Sequence, residues 1–242
     1  MPTYVLRVWL PDRPGALGSV ASRVGAVRGD VIGIDILERD GGRAIDELVI
    51  DLPDDALVPL LLAEVRCVEG VDIEDVRPVD PDRGDWRLDA LETAVLLVME
   101  STPGGLLVAL TTAVVREFQA EWSAVVDVDG PSEVARAGRP PPVAWVVAFV
   151  EGSRASPHTR DEAAAPNDIA WASLPETDVA LVVGRDGRPF HARERRQIAA
   201  LARIADHRWL DLEALNRRDS GAFSIHRPVS AARARSTSSA VL

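Results

Sequence analysis

The residues with the clearest capacity for chemistry lie in residues 10–17 (LPDRPGAL), where the first apolar segment ends. Pro14 suits the first position of a helix, because its missing N–H is one that a helix N-terminus leaves unpaired. Gly15 has no Cβ, so another group can approach the backbone closely. The free N–H groups of residues 15–18 and the helix dipole then predict a small anion site, beside which Asp12 places a carboxylate. Such a pairing suits a zwitterion, for example a free amino acid.

The hydrophobic pattern around this stretch predicts the elements that must position it. Alternation indicates strands, and apolar residues at helical spacing indicate helices. The predicted order is strand, helix, strand, strand, helix and strand, over residues 3–10, 15–27, 31–38, 45–52, 53–69 and 71–79. This is the split βαβ order of a ferredoxin-like α+β domain, with both helices on one face of an antiparallel sheet. Trp9 alternates onto the opposite face, which predicts a place at a dimer or interdomain surface.

Composition excludes several classes of function. All 27 basic residues are arginine, so a P-loop lysine, a Schiff-base lysine and a Ser–Lys pair are absent. The net charge of −11 argues against nucleic acid as a partner. Cys67 is the single cysteine and lies in an apolar run, which predicts a buried structural thiol. No apolar run is long enough to span a bilayer, and Met1 leads directly into a strand pattern, from which we expect no signal peptide.

The remainder of the chain predicts a second domain. Residues 81–85 lie in a stretch rich in Pro, Gly and Asp, which is typical of a linker after a first domain of residues 1–80. Residues 86–216 then predict two helices, several strands, among them 143–150, and a closing helix over 190–207, with 130–142 as a turn-rich loop. Residues 217–242 are rich in Ser, Ala and Arg, which predicts a disordered tail.

The element order of residues 3–79, together with the Asp12–Leu17 turn, resembles an ACT domain, the amino-acid-sensing module of many metabolic enzymes. The resemblance implies that two copies pair side by side and that an amino acid lies at their pairing surface. The implied ligand-binding residues are Leu10, Asp12, Arg13, Gly15, Ala16 and Leu17 of the turn, with Val31 and Ile32 of the second strand, often from the partner copy.

Serine-sensing members have His and Asn side chains where this chain has Leu10, Asp12 and Val31. A polar ligand side chain would therefore find few partners, which favours an apolar amino acid such as Leu, Ile, Val or Phe. An alternative stays open, in which Pro14 and Gly15 only shape a tight turn and the domain only dimerises.

Residues 182–190 (VVGRDGRPF), followed by residues 194–201, resemble the last strand and last helix of a GAF domain. This second resemblance implies an α/β sandwich that senses a small molecule.

Three other groups of residues could suggest a catalytic or metal site, but their sequence context does not support one. An Asp127-Val128-Asp129-Gly130 loop after a strand is similar to the nucleophile loop of haloacid-dehalogenase enzymes, but the chain lacks the lysine that this chemistry needs. An Asp-Gly turn is the ordinary explanation. Ser153, Ser156, His158 and Asp161 follow no nucleophile elbow. His191 and His207 are sixteen residues apart without further ligands at metal-binding spacing.

The sequence thus predicts a non-enzymatic, cytoplasmic regulatory protein that dimerises, binds an amino acid and uses no cofactor, metal, nucleic acid or membrane. Two alternatives remain. One is an interaction protein whose ACT-like domain only dimerises. The other is an enzyme with an unrecognised site in residues 86–215.

Overall fold

Two four-stranded antiparallel sheets organise the chain, one in each half. The structure is a computed structural model that describes residues 1–79, 86–130, 132–155 and 167–223. The predicted linker 81–85 lies outside these residues, as does the part of the predicted tail beyond residue 223.

The first unit is the predicted ferredoxin-like βαββαβ arrangement, with strand order β2-β3-β1-β4. A single 3₁₀ turn, Asp55–Leu57, precedes the second helix, and the side chain of Asp54 caps it by accepting the N–H of Ala56. The elements are β1 (Thr3–Pro11), α1 (Ala16–Ala26), β2 (Asp30–Asp40), β3 (Arg43–Asp51), α2 (Val58–Arg66) and β4 (Asp72–Val79).

The two faces of this sheet differ in chemistry. Alternate residues of β1, such as Leu6 and Val8, are fully buried beneath α1 and α2 and form an apolar core. Each such side chain contributes about 1.5–3 kcal/mol by leaving water. Arg7 points to the opposite face, where its neighbour across the strands is Glu47 of β3. That face is charged and is covered by the second unit.

In the second unit the strand order is β6-β5-β8-β7. Its elements are α3 (Trp86–Met99), α4 (Pro103–Glu117), β5 (Trp122–Asp127), β6 (Ser132–Gly138), α5 (Val143–Ala155), β7 (Ile169–Leu174), β8 (Val179–Gly184) and α6 (Ala192–Phe223). One apolar core lies between the sheet and α4 and α6, and a second lies between the sheet and α5. Every residue of β8 is buried, because both faces of the sheet are covered. The unit is thus a helix–sheet–helix sandwich; its GAF-like character stays a prediction.

Two predicted elements in this unit are wrong. Residues 143–150 form the first turns of α5 rather than a strand, with the N–H groups of Trp145 and Val146 donating to Pro142 O at 2.8 and 3.2 Å. A short apolar run has no period that separates the two structures. The predicted loop 130–142 contains the edge strand β6, which carries too few buried residues to show alternation.

Two further predictions also differ from the structure. Helix α6 continues through Phe223, so the chain is helical past residue 217, where the tail was predicted to begin. Cys67 is exposed instead of buried, because it directly follows the last residue of α2, and its thiol lies 3.3 Å from Ala63 O.

Candidate functional site

The β1–α1 turn is held by backbone hydrogen bonds to the neighbouring hairpin. The N–H of Asp12 donates to Gly42 O at 2.9 Å, and the N–H of Ala16 donates to Arg13 O at 3.3 Å. Gly15 is the N-cap of α1, with φ of +87°, a left-handed conformation that favours glycine. The helix therefore begins at Ala16, so the prediction that Pro14 occupies the first helical position is wrong.

The turn presents backbone donors to solvent. The N–H groups of Leu17 and Gly18 have no acceptor within the described part of the chain, whereas that of Ser19 donates to Gly15 O at 3.0 Å. Asp12 lies 3.9 Å from Arg39 Nε, and both side chains are largely exposed, so this ion pair is weak. The turn thus carries two amide donors, which can bind an anionic group, and one exposed carboxylate, which can bind a cationic group.

The residues predicted to bind a ligand divide into exposed and buried sets. The side chains of Leu10 and Ala16 are part of the core, so only their backbone atoms could contact a ligand. Leu17 and Val31 are half-buried against the same core. The exposed members of the predicted set are Asp12, Arg13, Gly15 and Ile32.

Within one copy the structure does not bring the two halves of the predicted site together. Asp30, at the start of β2, pairs with Asp51 of β3, which pairs with Thr3 at the start of β1. The turn follows the other end of β1, about eight residues and roughly 25 Å away along the sheet. Val31 and Ile32 therefore lie far from the turn of their own chain.

Strand β2 is an edge of its sheet and carries exposed isoleucines. Ile32, Ile34 and Ile36 are 53%, 44% and 37% exposed. Ile34 lies opposite Leu48, whose side chain is in the core beneath the helices, so Ile34 projects from the same face. An edge with apolar side chains and unpaired backbone groups is able to pair with another strand.

The opposite face of the sheet meets the second unit through buried charges. Glu194 of α6 accepts hydrogen bonds from Arg7 Nη2 at 2.7 Å and from Arg185 Nη1 and Nη2 at 2.9 and 2.8 Å. It also accepts the N–H of His191 at 2.9 Å. Arg7 in turn donates from Nε to Glu47 at 2.5 Å. All three members of the Arg7–Glu194–Arg185 triad are less than 10% exposed.

The electrostatics of the triad follow from burial and pairing. Burial opposes the charged form of Glu194, but Arg7 and Arg185 outweigh it and lower the pKa of Glu194 to about 2. Burial also disfavours the charged form of Arg7, and Glu194 and Glu47 nevertheless raise its pKa. Burial, with Arg77 and Arg185 nearby, lowers the pKa of Arg188 to about 10. Burial also lowers the pKa of Arg185, although its pairing with Glu194 opposes that shift. The low pKa of Glu194 means that this carboxyl group stays ionised across the physiological pH range.

A second contact joins both edges of the first sheet to the start of α6. The ring of His191 lies between two carboxylates, with Nε2 at 2.9 Å from Glu74 and Nδ1 at 3.4 Å from Glu38. Glu38 also accepts the N–H of Ala192 at 3.0 Å, at the first residue of the helix. The rings of Trp9 and His191 pack in a T-shaped arrangement with centroids 5.8 Å apart. Because His191 belongs to the second unit, this contact confirms the prediction that Trp9 lies at an interdomain surface.

A cavity of about 360 Å³ opens beside this contact. It is lined by Trp9, Glu38 and Glu74 of the first unit and by Phe190, His191 and Arg195, among others, of the second. Sequence reasoning did not find this region, because the lining residues of the second unit follow those of the first unit by at least 93 positions and no local motif connects the two sets. The one available signal was the alternation that places Arg7 and Trp9 on the outer face of β1. It indicated that another part of the protein covers this face, but it did not indicate which part.

Two of the remaining candidates, Asp127 and Ser153, lie in the described part of the chain. Asp127 Oδ1 accepts the N–H groups of Asp129 and Gly130, each at 3.0 Å, so its carboxylate shapes the turn. Ser153 is buried in α5, while Ser156, His158 and Asp161 fall outside the described residues. Within the described ranges, no group of three or more His, Cys, Asp or Glu side chains could hold a metal ion. No described helix is both long and apolar enough to cross a membrane.

No family model matches the sequence, and no curated protein matches it significantly. Solved structures with partial similarity include the ACT domain of a GTP pyrophosphokinase from Chlorobium tepidum, at 16% identity and TM-score 0.27, covering 33% of this chain and all of that one. A formyltetrahydrofolate deformylase from Pseudomonas putida KT2440 is 18% identical with TM-score 0.25, over 37% of this chain and 36% of that one. An unknown protein from Galdieria sulphuraria is 14% identical with TM-score 0.30, over 85% and 92%. These TM-scores are too low to support an argument about fold or function, so the description of the fold rests on the strand order alone.

Proposed function

We propose that this chain is a non-enzymatic regulatory protein in which two copies pair along β2 and bind an apolar amino acid between them. The observation that carries the proposal is the separation of the turn from the start of β2 within one copy. Strands β1 and β2 run in the same direction, so the turn lies at the end of the sheet where β2 finishes. Antiparallel pairing of β2 with its counterpart would place Val31 and Ile32 of a second copy at that end.

The proposed ligand follows from the groups available at this place. The amides of Leu17 and Gly18 can take the carboxylate of an amino acid, and Asp12 can take its ammonium group. The side chain would meet Ile32 of the second copy, which favours an aliphatic or phenyl group. The exposed isoleucines of β2 supply the apolar area for pairing.

The second unit is the proposed responding module. Asp12 contacts the β2–β3 hairpin through Gly42 and Arg39. The neighbouring residue Glu38 accepts the N–H of Ala192 at the start of α6. A ligand that fixes the turn and the hairpin would therefore also fix the position of α6 relative to the first sheet.

Calorimetric titration of the full chain with the twenty amino acids tests ligand binding. We expect heat from one or more of Leu, Ile, Val and Phe, and its loss in Gly15→Asp, which places a negative charge at the anion site. Gly187→Asp is the matched control, since Gly187 also has a positive φ, of +67°, and open space around a built Cβ. Binding that is absent for every amino acid, or equal in both variants, would overturn the proposed site.

Light scattering tests the pairing. We expect a dimer, and a monomer for Ile34→Arg, because a charge at this edge cannot be buried against a second strand. Val134→Arg is the control, since Val134 is also 44% exposed and lies on the edge strand β6 of the other sheet. A monomeric wild type at all concentrations contradicts the shared site, whereas a dimer that binds no amino acid supports the dimerisation alternative.

A further inference from the structure

A further cavity lies within the second unit, between α3 and the end of α4. Its volume is about 220 Å³. The described residues that line it are Asp89, Glu92 and Thr93 of α3 and Arg116 and Glu117 of α4. None of these five carries a large apolar side chain, so charge and hydrogen bonding decide what the cavity can hold. When all are ionised, three carboxylates against one guanidinium give them a net charge of −2.

Two side chains that line this cavity have buried oxygen atoms without a hydrogen bond. Thr93 is only 1% exposed, and its Oγ1 makes no hydrogen bond. Glu117 Oε2 is also buried and makes none, whereas Glu117 Oε1 accepts a hydrogen bond from Gln197 Nε2 of α6. Buried polar atoms of folded proteins are nearly always paired. Two unpaired acceptors at one cavity therefore indicate that a donor belongs there.

The electrostatics of Glu117 also favour a cation in the cavity. Burial raises the pKa of Glu117, and the carboxylate of Asp89 adds to this increase. Thr93 and Gln197 act in the opposite direction, as does the charge of Arg116, but the pKa stays raised. A positive charge beside Glu117 would favour the ionised carboxylate and lower this pKa.

The spacing of the carboxylates favours an extended organic cation over a single metal ion. Asp89 and Glu92 are neighbours on one face of α3, whereas Glu117 belongs to α4, and packed helices lie about 8–10 Å apart. No three of the described acidic side chains are placed to hold one metal ion. An ammonium group has three N–H donors, which can reach separate oxygen atoms. A molecule with two ammonium groups also matches the charge of −2.

We propose that this α3–α4 cavity binds a short aliphatic diamine. One ammonium group donates to Thr93 Oγ1 and Glu117 Oε2, and the other lies at the carboxylates of Asp89 and Glu92. The ligand thus supplies the donors that the two buried oxygen atoms lack. This site is in the second unit, and it depends neither on the amino-acid site at the turn nor on a second copy of the chain.

Glu117 connects the proposed site to the boundary between the units. It also lines a smaller cavity of about 70 Å³, whose walls include Arg7 of β1 and Glu194 of α6. A diamine that keeps Glu117 ionised therefore also places a negative charge near the guanidinium of Arg7. Binding in the second unit is in this way coupled to its contact with the first sheet.

The test is calorimetric titration of the full chain with three probes of similar length and different charge. These are 1,4-diaminobutane, butylamine, which has one ammonium group, and 1,4-butanediol, which has none. We expect the diamine to bind about tenfold more tightly than butylamine, and the diol not to bind. No heat from the diamine, equal affinity for the diamine and butylamine, or displacement of the diamine by an equal concentration of Mg²⁺ overturns the proposal.

Two conservative substitutions locate the binding. Glu117→Gln removes the charge and should weaken diamine binding about tenfold, and Thr93→Val removes only the hydroxyl and should weaken it about fivefold. The matched controls are Glu151→Gln and Thr112→Val, both exposed on helices of the same unit, which should leave the affinity unchanged. Unchanged affinity in both cavity variants overturns the site, even if the diamine binds elsewhere on the chain.

Two further measurements separate this site from structural damage and from the turn. Thr93→Val replaces an unpaired buried hydroxyl with a methyl group, so urea unfolding should show no loss of stability, and this variant decides the test if Glu117→Gln does not fold. Asp12→Asn should bind the diamine as the wild type does. Loss of diamine binding in Asp12→Asn assigns the diamine to the turn and overturns the cavity site.

Discussion

The β1–α1 turn and the boundary between the units are built on opposite principles. The turn is exposed, local in sequence and made mainly of backbone groups, with Gly15 in a left-handed conformation. The boundary is buried and made of side chains, with Arg7 and Glu194 separated by 187 positions. A backbone site tolerates many side chains, whereas a buried charge cluster fails when one partner is lost. Substitutions should therefore affect ligand binding at the turn and stability at the boundary.

The largest expected effect is that of Glu194→Gln. It leaves the buried guanidinium of Arg185 without a counter-charge and that of Arg7 with Glu47 alone, which should lower the free energy of unfolding by about 3–5 kcal/mol. Urea unfolding followed by circular dichroism measures it. The control Glu151→Gln, on the exposed surface of α5, should change stability by less than about 0.5 kcal/mol. Equal effects of the two variants would show that the triad does not hold the units together.

Acid should reveal the same triad in the wild type. The pKa of Glu194 is about 2 in the folded state, against an ordinary value of 4.5, so the unfolded chain binds this proton first as the pH falls. The ionised Glu194 therefore contributes about 3 kcal/mol to the free energy of unfolding. This contribution is fully present above about pH 4.5 and is lost as the pH falls towards 2. The thermal midpoint of wild type should fall more steeply over this interval than that of Glu194→Gln. Parallel profiles would contradict a depressed pKa.

A smaller effect is expected at the turn. Gly15→Ala adds a Cβ at a φ of +87°, where nothing lies within 4 Å, so it should cost only about 1–2 kcal/mol of backbone strain. Gly18→Ala is the matched control in the same helix, where the space is also open and φ is not positive. It should be neutral or stabilising by up to about 1 kcal/mol. If both variants behaved alike, the left-handed cap would be unimportant.

The smallest expected effect on stability is that of Asp12→Asn. Its ion pair with Arg39 is exposed and 3.9 Å long, so the free energy of unfolding should change by less than about 0.5 kcal/mol. Amino-acid affinity at the turn should nevertheless fall about tenfold, because a charge-assisted hydrogen bond to the ammonium group is lost. Calorimetry and urea unfolding on the same samples distinguish these outcomes. If Asp12→Asn strongly lowered the free energy of unfolding and left the affinity unchanged, the turn would be important for stability and not for ligand binding.

Much of the fold could be predicted because its signals are local. The order of the first six elements follows from apolar periodicity and from turn residues such as Gly41 and Gly42, both of which have positive φ. The prediction failed for α5, whose first eight residues are almost continuously apolar, and for β6, whose side chains are mostly exposed. Neither pattern has the period that distinguishes a helix from a half-buried strand.

The sequence by itself determined that a turn and then a helix follow β1, because Pro14 and Gly15 restrict the backbone locally. It misplaced only the first helical residue, which is Ala16 and not Pro14. It also determined that the outer face of β1 is polar around Arg7. Only the tertiary structure decided what covers that face, namely Glu194, Arg185 and His191 of the second unit. The reason is physical: a buried charge is stable only beside its partner, and only the folded chain brings together partners that are more than a hundred residues apart.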